Sequence, residues 1–94
     1  MTTIELKGSA SESIWGHSFK LPFDLHETLA DAVHVIVLPG GFSIEFDIKN
    51  GVVSLAFNAP IVGKVFSRDF NEKGTHSIDE KIGTGELAMD LIIS

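Results

Sequence analysis

No cysteine occurs among the 94 residues, which removes a disulfide framework, a thiolate zinc site and a cysteine nucleophile together. Packing must therefore hold the fold. Basic residues are few and dispersed: Lys7, Lys20, Lys49, Lys64, Arg68, Lys73 and Lys81 stand against thirteen acidic residues, for a net charge of −6. Without a local basic patch, this balance repels nucleic-acid phosphate and anionic lipid, so we expect no nucleic-acid partner. No apolar run approaches the ~20 residues that span a bilayer, so no membrane span is expected. The opening Met1-Thr2-Thr3-Ile4-Glu5 also lacks the basic and long apolar regions of a signal peptide. The expected location is cytoplasmic, or outside the cell by export without a Sec signal.

The chain is too short to build two cores, so a single β domain over residues 1–94 is expected. Small domains bury only ~60–65% of their unfolded surface. Against that limit, 44% hydrophobic residues and a mean hydropathy of +0.24 are generous for a monomer. Some of this apolar surface is free to face a partner or ligand.

Period-two alternation dominates. From Trp15 to Leu25 the odd positions carry Trp15, His17, Phe19, Leu21, Phe23 and Leu25, with Gly16, Ser18, Lys20, Pro22 and Asp24 between them, as in a long half-buried strand. Pro22 cannot donate to a ladder, which places this strand at an edge or bends it. Thr3 to Lys7 alternates more briefly, with Ile4 and Leu6 inward. Asp24 followed by Glu27 resembles a capping box, and predicts a short helix or turn over His26 to Ala32. Ala32 to Leu38 is β-branched and apolar on both faces, which suits a central strand or one buried against a partner. Pro39-Gly40-Gly41 ends it.

The clearest element is a hairpin. Phe42, Ile44, Phe46 and Ile48 alternate with polar residues before Asn50-Gly51, and Val53, Leu55 and Phe57 follow it. Asn-Gly favours a type I′ turn, whose two central residues need positive φ. A two-residue loop sets Ile48 opposite Val53, Phe46 opposite Leu55 and Ile44 opposite Phe57, so each inward residue meets another. The stretch to Phe70 fits a helical face capped at Asn58 or a strand bulged at Gly63, and its β-branching favours the strand. A Gly83-Thr84 type II′ turn then sets Ile78 against Met89 and His76 against Leu91. In total, the turn spacing predicts an all-β fold: a small antiparallel β-sandwich or barrel of six to eight strands with at most one short helix.

Chemistry-bearing constellations are sparse. The four histidines show neither His-x-His nor His-Glu-x-x-His spacing. A site from His17, His76 and Glu80 would need two strands to bring them together, so no metal ligands and no cofactor are assigned. Asp69 to Glu80 partly matches a calcium loop, but Lys73 stands at a liganding position and the segment reads as a polar turn. There is no Gly-x-Ser-x-Gly elbow, and Gly40-Gly41 leads into a strand where a phosphate-binding loop requires a helix. No catalytic residue is named, and an enzyme ranks lowest.

Two expectations remain. The first is a non-enzymatic interaction or assembly module, a homo-oligomer that self-associates through apolar strand surface, drawn from Val33, Val35 and Val37 with Ala32, His34, Ile36 and Leu38, and from Leu91-Ile92-Ile93. The alternative is a small-ligand binder in which Trp15, His17 and Phe19 line a cleft for a carbohydrate or an acyl chain.

Overall fold

The computed structural model describes every residue except Trp15, together with the backbone but not the side chain of Ile14. The described residues form eight strands: β1 Thr2–Ile14, β2 His17–Leu29, β3 Val33–Val37, β4 Ser43–Lys49, β5 Val52–Ala59, β6 Gly63–Phe70, β7 Gly74–Ile82 and β8 Gly85–Ile93. They pair into two four-stranded sheets, ordered β2-β1-β8-β7 and β3-β4-β5-β6. The chain is all-β and antiparallel, the strand content of a small two-sheet sandwich. Among the described residues, the one helical element is a single 3₁₀ turn over Pro39–Gly41.

The chain divides into two compact units, one of Met1–Thr2 with Thr28–Glu72 and the other of Thr3–Glu27 with Lys73–Ser94. In the first, the β4–β5 ladder has the register that the turn demands: Ile48 faces Val53, Phe46 faces Leu55 and Ile44 faces Phe57. Asn50 and Gly51 take φ of 51° and 78°, as the type I′ turn requires. All six of those apolar side chains are buried. Phe57 also meets the ring of Phe42, with centroids 5.9 Å apart.

Residues 63–70 are a strand, and its irregularity lies just past Gly63. The ladder runs Phe57 to Phe66 and then Asn58 to Lys64, so Val65 is the extra residue of a β-bulge. The connection before it is unusual. The Val62 N–H donates to the Pro60 carbonyl at 2.8 Å, closing a three-residue turn around Ile61, whose φ is 71°. A β-branched residue rarely takes positive φ, and a γ-turn of this hand is strained.

In the second unit the Gly83-Thr84 turn holds as expected. Gly83 has φ of 61°, His76 faces Leu91, and Ile78 faces Met89. Ile4 and Leu6 are buried and pair with Ile93 and Leu91 of β8. Gly8 is fixed by close approach, because a Cβ there would come within 2.2 Å of the Ala88 carbonyl oxygen and 2.5 Å of the Met89 Cα. Main chain cannot yield that much, so β1 crosses Met89 only where it carries no side chain.

Two expectations need correction. The short helix over His26 to Ala32 does not form: β2 continues to Leu29 and a bend follows at Asp31 and Ala32. Up to Leu29 the segment belongs to a strand that pairs with β1, and that outweighs a local capping signal. Of the two settings expected for residues 32–38, a central strand or one buried against a partner, the first is overturned, because β3 is an edge strand. Pro22, by contrast, lies on an edge strand, β2, as its missing donor requires.

Candidate functional site

Of the three residues expected to line a ligand cleft, Trp15 lies outside the described residues. His17 and Phe19 open β2 and are exposed, with Phe19 at 48%. They share a strand face with Leu21 and Phe23, which are buried. The exposed half lies beside the end of β1, where β8 pairs only as far as Glu12. Phe19 borders an open groove of about 460 Å³ with Ser11, Glu12, Lys20, Lys81 and Thr84, whereas His17 is not part of its lining. The Thr84 hydroxyl donates to Glu12 Oε1 at 3.3 Å, so one carboxylate oxygen of the groove is already engaged.

The histidines do not converge. His17 on β2 and His76 on β7 sit at opposite edges of one sheet, with β1 and β8 between them. At ~4.8 Å per strand this separates their strands by ~14 Å, which rules out the shared site with Glu80. His26 Nε2 lies 3.5 Å from Glu5 Oε1, both exposed. His34 Nε2 is 2.8 Å from the Ala30 carbonyl oxygen. Among the described residues, no group of three His, Asp or Glu side chains is placed to hold a metal ion. Residues 69–80 form the end of β6, a polar turn and most of β7, not a looped cation cage.

The feature that stands out is β3. Val33, Val35 and Val37 are 58%, 58% and 79% exposed, while Leu38 is buried and His34 and Ile36 are half-buried. A row of three valines therefore faces solvent. The hydrogen-bond phase of the ladder adds a second property. The Ile48 N–H donates to the Ala32 carbonyl at 3.0 Å and the Leu38 N–H to the Phe42 carbonyl at 2.8 Å. Both pairs lie in the β3–β4 register, in which Val33 faces Asp47, Val35 faces Glu45 and Val37 faces Ser43. Antiparallel ladders alternate bonded and non-bonded pairs. The even-numbered residues of β3 thus bond to β4, and Val33, Val35 and Val37 turn their N–H and C=O groups toward the outer edge. Among the described residues, no strand of the chain pairs there.

The sequence singles out these valines but offers two settings for them, and only the central one is excluded by the edge position of β3. A strand apolar on both faces reads alike at the centre of a sheet and at an edge awaiting a partner. Ile61 and Val62 form a second exposed apolar point, 106% and 71% accessible, at the tip of the strained turn. Comparison with family models, curated proteins and solved structures yielded no match to the chain.

Proposed function

We propose that this chain is a non-enzymatic interaction module that self-associates through the apolar surface of β3. The observation that supports it is the solvent-facing row of Val33, Val35 and Val37 on a strand that also has its outer hydrogen-bonding groups unused. Apolar side chains opposed on neighbouring strands stabilise a sheet by ~0.2–1 kcal/mol per pair, so three adjacent valines at an open edge favour a partner strand. Unpaired strand edges act as templates for another strand. Size-exclusion chromatography with light scattering at high micromolar concentration tests the proposal. A mass of twice 10.2 kDa is expected, and a strict monomer overturns it.

A binder of a sugar or short acyl chain at Phe19 is the alternative, supported by the exposed ring bordering the groove. It is the weaker reading, because the groove is open and its Glu12 is held by Thr84.

A further inference from the structure

Resting on that reading, we propose that the partner of β3 is the β3 strand of a second copy. The two strands lie antiparallel about a two-fold axis through Val35, and the two four-stranded sheets join edge to edge in a closed dimer. The other three edges each carry a feature that opposes strand addition. β2 has Pro22 among Lys20, Asp24 and Glu27; β6 has a bulge at Val65 with Lys64, Arg68 and Asp69; β7 has Asp79, Glu80 and Lys81. β3 reads Val-His-Val-Ile-Val, with no Asp, Glu, Lys, Arg or Pro. On a chain of net charge −6, it is the one edge where two copies meet without opposing like charges.

The register follows from which groups point outward. Pairing centred on Val35 sets Val35 against Val35, Val33 against Val37 and His34 against Ile36 of the second copy. All three outward-bonding residues are then used in both chains, and six valine side chains form one row. A shift toward the N-terminus pairs Val37 with Asp31 and sets His34 against His34. A shift toward the C-terminus pairs Val33 with Pro39, which has no N–H to give. Because one edge per chain is permissive, the interface is the same patch on both copies and closes at two. Open fibres are not expected.

Two substitutions test this pairing separately from self-association as such. Val35→Pro deletes an N–H that the β3–β4 ladder does not use, so the monomer should keep its fold by circular dichroism while the dimer is lost. Val35→Cys exploits the absence of other thiols. Directly opposed, outward-bonded residues have Cα atoms ~5.5 Å apart, within the ~4.4–6.8 Å that a disulfide spans. Mild oxidation should therefore yield a covalent dimer from Val35→Cys. Val33→Cys alone should give none, since its copies are offset by ~14 Å along the strands at ~3.4 Å per residue, but mixed with Val37→Cys it should cross-link. A monomeric wild type overturns the assembly reading itself. A wild-type dimer that survives Val35→Pro and does not cross-link at Val35→Cys leaves assembly standing and overturns the strand pairing. Efficient cross-linking by Val33→Cys alone overturns the register.

Discussion

Two turns reverse the chain within the same sheet, and they do so by opposite means. At residues 50–51, Asn and Gly occupy the left-handed region that they tolerate best, and the flanking strands keep one register from Lys49–Val52 to Ser43–Asn58. At residues 60–62 a β-branched Ile61 is held at φ 71°, and the ladder beyond it slips by one at Val65. Where the turn residues match the turn, register is inherited from the loop. Where they do not, it is imposed by the pairing of Phe57 with Phe66 and Val53 with Phe70, and the loop absorbs the strain.

The matched hairpin has most to lose in its core. Phe46 is 1% exposed and faces Leu55, so Phe46→Ala should cost ~3–5 kcal/mol through lost burial and the cavity left behind. An unchanged urea midpoint would show that the assigned inward row is not core. Gly51→Ala probes the turn alone, because a Cβ there meets nothing within 4 Å. Its expected cost of ~1–2 kcal/mol is purely conformational, read as a lower midpoint with an unaltered slope. Ile61→Gly should act with the opposite sign. It relieves a positive-φ penalty of ~1–2 kcal/mol but restores ~0.5–1 kcal/mol of chain entropy to the unfolded state, leaving a gain of up to ~1.5 kcal/mol in the same melts. A loss there would mean that the exposed Ile61 side chain stabilises the fold through a contact.

The contrast also explains what could be read from the sequence. Both tight hairpins were legible to the residue, because Asn50-Gly51 and Gly83-Thr84 dictate local geometry and the alternation on either side agrees with it. β1 was legible only over Thr3 to Lys7. Beyond that, Gly8, Ser9, Ala10, Ser11 and Glu12 carry no inward apolar row, and they become a strand because β8 supplies the partner from Met89 to Gly85. The capping signal at Asp24 and Glu27 failed for a related reason, since a neighbouring strand offers that backbone more hydrogen bonds than one turn of helix. Whether a strand is central or at an edge depends on what lies beside it, and residues 32–38 hold no information on that point. The candidate site divides in the same way: the valine row was visible as composition, and its exposure and hydrogen-bond phase only as structure.

The pairing of β1 with β8 also bears on the order of assembly. Ile4 faces Ile93, and Thr3 and Ser94 exchange backbone hydrogen bonds at 3.0 and 2.9 Å. The β4–β5 and β7–β8 hairpins close over a few residues, but this ladder joins the first and the last of the eight strands, and long-range contacts of this kind form late. During synthesis β1 is made before the other seven strands, and its partner β8 after them. The serine-rich second half of β1, poor in apolar side chains, is a sequence that can wait with a bare edge without recruiting the wrong strand.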